Sequence, residues 1–200
     1  MENQEFCTLF ADVMDEGINL SEDLISLETT QKAYPDYLNV EKQIVLSLDD
    51  KVDPTKLEIN CAYTYLDNLY LTDEGGNIAY IDCELALTAG TKAIKAKHPE
   101  YKAAGGKNAL HDDMDAGHFG VQLGQHPSIA MEQHRYLNRY GVWRDYERTW
   151  VQLLKEGHQV NLKAVFTKGA EGTYSDFWCL RETIDGDEYS EFILTNDDLQ

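Results

Sequence analysis

Positive charge is what this chain has least of: 17 lysines and arginines stand against 36 acids, a formal net charge of −19. Proteins that bind polyanions usually show the opposite balance, so the deficit weighs against a generic nucleic-acid-binding surface. Cysteine is also thin. Cys7, Cys61, Cys83 and Cys179 occur singly, with no Cys-Xaa-Xaa-Cys pair and no zinc-ligand spacing. They read as reduced core thiols of a cytosolic protein rather than as disulfides. No apolar run approaches the roughly 18 residues a membrane span requires. Met1-Glu2-Asn3-Gln4-Glu5 lacks a basic start ahead of an apolar stretch, so no secretory signal is expected and the cytoplasm is the expected compartment. No internal repeat or low-complexity tract interrupts the 200 residues, which suit one domain with an appendage or two small domains.

The acidic excess is uneven. Residues 1–60 carry 14 acids and 4 bases, so half of it lies in under a third of the chain. A basic stripe lies elsewhere: Lys92, Lys95, Lys97, Lys102 and Lys107, then Arg135, Arg139, Arg144 and Arg148. Any single lysine there reads as solvated surface. The run from Lys92 to Lys107, with Glu100 its only acid, is a candidate phosphate-facing patch.

The organisation changes along the chain. Phe6, Leu9, Phe10, Val13 and Met14 recur at helical spacing until Gly17, and Ser21 looks like the cap of a second helix closed by Pro35. Tyr37 to Leu48 suits a third helix or a strand. The polar, Pro54-containing stretch 49–54 places a boundary after residue 56, between an acidic helical segment and a domain over 57–200. Tyr63 to Thr72 and Asn77 to Leu87 read as strands joined by a tight turn at Gly75-Gly76. Residues 88–112 read as a long loop. Val142 to Glu156 has a helical apolar face of Trp143, Tyr146, Trp150, Leu153 and Leu154, stopped by Gly157. Val160 to Phe166, Tyr174 to Ile184 and Glu188 to Leu194 then read as strands, the last two joined by Asp185-Gly186. The expected class is α+β, an antiparallel sheet against one long helix.

Chemistry concentrates at Asp112-Asp113-Met114-Asp115-Ala116-Gly117-His118-Phe119, with Asn138 and Glu147 downstream. A histidine can take a proton from water near neutral pH. An amide oxygen can hold a hard cation, and a carboxylate can steady that cation's water shell. Gly117 permits close approach of a phosphate. That set is what a one-metal phosphodiester hydrolase needs. His118 alone suits a buried, hydrogen-bonded histidine equally, and Glu147 alone suits an ion pair with Arg144 or Arg148. In one continuous helix, positions 138 and 147 would face opposite ways, since nine residues at about 100° each make two and a half turns. A break at Gly141 would let them converge. His111, His126 and His134 could add ligands to His118, but their spacing is no zinc pattern.

Residues 63–195 resemble the DNA/RNA non-specific endonuclease family, in the branch found as toxin domains of bacterial polymorphic and type VII-secreted effectors. The resemblance runs in order through Thr72–Asn77 and Cys83–Leu87, then Asp113-Met114-Asp115-Ala116-Gly117-His118, which matches the family's Asp-Xaa-Gly-His. It continues in Leu137-Asn138-Arg139, Trp143–Trp150, Leu154–Gly157 and the closing hairpin Thr183–Tyr189. Ala116 stands where many relatives have arginine, and Ser128–Gln133 replaces the usual Asn-Leu-Val-Pro-Gln stretch. The resemblance implies a ββα-metal (His-Me finger) fold and Mg²⁺- or Mn²⁺-dependent hydrolysis of DNA and RNA. His118 would be the general base, Asn138 the direct metal ligand and Glu147 the holder of the cation's water, with Arg139 in the same catalytic set. It also implies, for a toxin, export by a non-classical route and an immunity or inhibitor protein as partner.

Three function classes follow. The first is the metal-dependent endonuclease, with DNA or RNA as substrate and Lys92, Lys95, Lys97, Lys102, Lys107, Arg135, Arg144 and Arg148 on the phosphates. The second is a catalytically weak interaction protein whose acidic surface mimics DNA or binds a basic partner, which the net charge favours. The third is a self-restrained toxin whose segment 1–56 covers the basic face; the same segment could instead mediate a homodimer.

Overall fold

A computed structural model describes residues 40–53, 56–88, 114–117, 123–129, 131–134, 137, 141–166 and 177–195. Seven strands form one sheet: β1 (Lys42–Val45), β2 (Cys61–Tyr65), β3 (Asn68–Thr72), β4 (Ile78–Leu85), β7 (Val160–Phe166), β8 (Phe177–Ile184) and β9 (Asp187–Thr195), in that spatial order. A second sheet pairs β5 (Met114–Gly117) with β6 (Met131–His134). One helix, α1 (Val142–Glu156), is described. β1 runs parallel to β2, and every other neighbouring pair is antiparallel.

Strand alternation sorts the large sheet into two faces. Tyr63, Tyr70, Ile81, Cys83, Leu162, Ala164, Phe166 and Leu180 project to one side and pack with Trp143 and Trp150 of the helix. Leu123, Ile129 and Leu137, which bracket β6, join the same core, so the second sheet is tethered to the first through them. The opposite face carries Ala62, Leu69, Leu71, Tyr80 and Val165, all buried. A row of facing charges borders it: Asp82 pairs with Lys163 at 3.4 Å, and Arg181 pairs with Glu191.

The turns show why the strands end where they do. At the β3–β4 connection the Asp73 carboxylate accepts hydrogen bonds from the N–H groups of Gly75 and Asn77, both at 2.8 Å. Gly76 there takes φ 76°, and a Cβ on it would meet the Leu57 carbonyl oxygen at 2.7 Å. Asp185 (φ 54°) and Gly186 (φ 88°) form the β8–β9 hairpin, the double positive-φ turn that matches strand twist. Gly157, at φ 94°, ends α1. Its N–H reaches the Leu154 carbonyl, and the His158 N–H reaches that of Leu153.

This is not the ββα-metal architecture that the resemblance implied, an antiparallel sheet on a long helix with a helical N-terminal appendage. The described residues form a seven-stranded mixed sheet with a single helix of 15 residues. Two local causes stand out. The stretch from Tyr63 to Thr72 is two strands rather than one, because Leu66 and Asp67 turn the chain and Leu66 adopts φ 52°. Lys42–Val45, within the stretch Tyr37 to Leu48 that suited a helix or a strand, is a strand flanked by buried Val40 and Leu46, and it adds to the sheet instead of to a helical appendage. The patterns in residues 1–39, and the long loop over 89–112, lie outside the described residues.

Candidate functional site

The motif Asp113–His118 is described over Met114–Gly117, where it forms β5. Its register with β6 sets Met114 opposite His134 and Gly117 opposite Met131. The chain thus leaves β5 directly into His118, crosses the segment 123–129 and returns antiparallel as β6, from which it runs on to α1. His118, Asn138, Arg139, Arg135 and the lysines from Lys92 to Lys107 lie outside the described residues, as does His111. Glu147, Arg144 and Arg148 are described, all on α1.

The crossing segment is held tightly. Tyr70 donates its hydroxyl to Gln125 Oε1 at 2.5 Å, and Asn68 Nδ2 reaches the Gly124 carbonyl at 3.4 Å. His126 is completely buried. Its Nδ1 accepts the Ser128 backbone N–H at 3.1 Å, so Nε2 carries the proton and donates to the Ser47 carbonyl at 3.0 Å. Tyr65 meets the ring edge-on at 4.8 Å. Both ring nitrogens are therefore committed, and His126 is a structural histidine rather than a metal ligand. Among the described residues no three His, Cys, Asp or Glu side chains gather closely enough to hold a metal ion.

Gly141 is the N-cap of α1, with extended backbone at φ −86° and ψ −171°. The helix therefore begins at Val142, directly after the glycine at which a break was expected. On α1 Glu147 sits one turn after Trp143 and three residues before Trp150, hence between the two indoles on one face. Those rings meet edge-to-face at 5.4 Å. Burial dominates the Glu147 carboxyl and pushes its pKa up to about 7, while the Trp143 side chain and the Arg144 charge pull it back only partly. The ion pair expected for Glu147 is made by a neighbour instead: Arg148 bonds Asp145 at 3.3 Å on the exposed side of the helix. Arg144 is exposed as well, so the two arginines of α1 face solvent.

A buried acid that the sequence reading missed underlies this helix. Glu182 on β8 is 2% exposed. It accepts the Trp150 indole N–H at 2.8 Å through Oε1 and the Ser190 hydroxyl at 2.9 Å through Oε2. A glutamate at an inward-facing strand position was the available signal. Tyr146 adds a stacked contact to Phe192 at 4.1 Å, so α1 is fixed to β8 and β9 by both polar and aromatic contacts.

The fold defines a mixed-sheet protein with a tethered strand pair leading into one helix. No protein-family model matches the chain, and none of the curated proteins matches it.

Of the two residues expected to hold the cation, Glu147 alone lies among the described residues. Glu147 is a half-buried carboxylate with no ion pair among the described residues, so added positive charge would relieve it. Cys61 and Cys83 are free and buried, and burial pushes the Cys61 thiol up to about 11 and that of Cys83 higher still. Neither is available as a soft thiolate ligand. Among the described residues no helix is long and apolar enough to cross a membrane.

Proposed function

We propose that this chain is a metal-dependent endonuclease that hydrolyses phosphodiester bonds of DNA, RNA or both. The observation that carries it is the placement of the motif. Its Met114-Asp115-Ala116-Gly117 stretch is a strand paired antiparallel with Met131–His134, and further along the chain lies the helix that carries Glu147. A strand end and a helix face are rigid platforms for groups that must converge within a few tenths of an ångström.

In this reading His118 accepts the proton of the attacking water. Asn138 and Glu147 hold Mg²⁺ or Mn²⁺, Glu147 through the cation's water shell, and the ion when bound supplies positive charge to the phosphorane-like transition state and the leaving oxygen. Arg139 belongs to the same set. Arg144 and Arg148, exposed on α1, meet the nucleic-acid backbone alongside Arg135 and the stripe from Lys92 to Lys107. The protein acts in the cytoplasm of a producing or a target cell, the latter by non-classical export as a toxin checked by an immunity protein.

The net charge of −19 favours a second reading, an acidic interaction protein that binds a basic partner. Plasmid nicking separates them. The enzyme reading expects Mg²⁺-dependent cleavage that falls by ~10²–10⁴ in His118→Ala while the melting temperature is kept. Cleavage by that variant at the wild-type rate, or no cleavage by the wild type in Mg²⁺ or Mn²⁺, refutes it.

A further inference from the structure

The two outer strands of the large sheet differ in how they are guarded. β9 closes one side and carries Asp187, Glu188 and Glu191, and a charged border keeps an edge from pairing with other chains. β1 closes the other side, and among the described residues β2 is its single partner. The run Gln43–Leu48 carries no charge. Lys42 is the residue there that would blunt the edge. It shares a face with Cys61, its partner in register, and pairs at 3.2 Å with Glu58 in the segment leading into β2, so its ammonium is drawn inward over the sheet. Val45 is 73% exposed and Leu66 74%. They lie at the same end of the sheet, because Val45 is in register with Thr64 and Leu66 directly follows β2. An uncharged strand edge ending in exposed apolar side chains is what an extended segment of another chain joins: main-chain hydrogen bonds hold it and alternate side chains select it. Acids flank the edge. Glu41 stands ahead of β1, and Asp49, Asp50 and Asp53 follow it, all exposed, with Lys51 the only base from Gln43 to Asp53.

We propose that the outer edge of β1 is a docking strand for an extended, basic segment of a partner protein, apolar at its centre and carrying lysine or arginine at its ends. The incoming cations meet Glu41 at one end and Asp49 and Asp50 at the other, and the apolar centre covers Val45. A second copy of this chain suits the edge poorly. Pairing antiparallel about Val45 brings Glu41 of one copy toward Asp49 of the other, and like charges across strands are unfavourable. The net charge of −19 on each copy adds to that repulsion. The surface uses no residue of the endonuclease reading and does not depend on it.

The experiment is fluorescence anisotropy with the full chain and a labelled peptide of alternating valine and threonine bearing two lysines at each end. Binding is expected, and added salt should weaken it, because the flanking charges are exposed. Val45→Lys removes the apolar contact and sets a cation on the edge, and it should weaken binding by about tenfold or more. Val45 is exposed, so the variant should keep the wild-type melting temperature; should it not fold, Gln43→Lys, exposed on the same strand, takes its place. Bound peptide should also slow amide hydrogen exchange within Lys42–Val45. The proposal is overturned by no binding up to about 1 mM peptide, by equal binding of a peptide with glutamates in place of the lysines, or by protection at Asp187–Thr195 in place of β1. Sedimentation settles the other occupant. A wild-type dimer that Val45→Lys makes monomeric puts a second copy on the edge and overturns the basic partner, whereas a wild-type monomer supports it.

Discussion

Replacing Trp150 by phenylalanine should destabilise the protein by about 2.5–4 kcal/mol, although the substitution keeps an aromatic ring at a buried helical position. Trp150 is completely buried, and its N–H supplies one of the two hydrogen bonds on Glu182, itself 2% exposed. A hydrogen bond to a charged group contributes about 1.5–3 kcal/mol, and its loss leaves a buried acceptor partly unserved. The missing part of the indole adds about 1 kcal/mol of lost packing, well below the 3–5 kcal/mol of full truncation to alanine. The sum is a sizeable part of the ~5–15 kcal/mol of stability typical of a domain. Urea unfolding followed by far-ultraviolet circular dichroism reads it as a drop in midpoint at unchanged slope. The double variant Trp150→Phe, Glu182→Leu removes the stranded carboxylate with its donor. It should be less destabilised than the sum of the two single variants by 1 kcal/mol or more, estimated roughly from the same desolvation cost. A Trp150→Phe penalty below about 1 kcal/mol, or strict additivity in the cycle, would refute the claim that Glu182 anchors α1 through this bond.

Two further outcomes follow from the turns. Gly76→Ala should lower the melting temperature clearly, at a cost of about 1–3 kcal/mol, because alanine must take a positive φ and its Cβ would meet the Leu57 carbonyl at 2.7 Å. Gly186→Ala, with open space around the same kind of backbone, should cost less; equal penalties in thermal melts would contradict the steric argument. The pair of His158 and Asp185, 2.7 Å apart, should make stability depend on pH. Hydrogen bonding to Asp185 raises the His158 pKa, a contribution fully present below its unfolded value and lost as pH rises through the folded one. Hydrogen bonding to His158 lowers the Asp185 pKa, a contribution present above its unfolded value and lost as pH falls. The pair therefore helps most between the ordinary values of 3.8 and 6.5. Asp185→Asn should accordingly be more damaging near pH ~5.5 than at pH ~9, and chemical denaturation showing equal losses at both would count against it.

Where local chemistry is strong the sequence was legible. Val142 to Glu156 is helical over the span its apolar spacing indicated, with Gly157 stopping it and Trp143 and Trp150 inward. Asp185-Gly186 and the strand Val160–Phe166 also lie where turn chemistry and β-branched content put them. The large-scale arrangement was not legible, because sheet partners are chosen by contacts remote in sequence. Nothing in Lys42–Val45 announces a parallel partner at Cys61–Tyr65. The hairpin at Leu66 was hidden because leucine at positive φ carries no turn signature, leaving only Asp67 and Asn68 as hints. The start of the helix just after Gly141 was legible, whereas Glu182, buried on β8, was not singled out on a chain rich in acids.

The hydrogen bond from His126 to the Ser47 carbonyl joins positions 79 residues apart. It bears on where this polypeptide can be cut. A fragment beginning at residue 57 would lack β1, leaving the outer edge of Cys61–Tyr65 open to pair with another molecule. The same cut would remove the acceptor of a wholly buried imidazole, on the segment that leads from β5 into β6. Such a fragment would at once expose a sticky sheet edge and loosen the segment that joins β5 to β6. Its lack of activity would then say nothing about the chemistry of the site, so an expression boundary placed ahead of Val40 is the one that keeps the two questions apart.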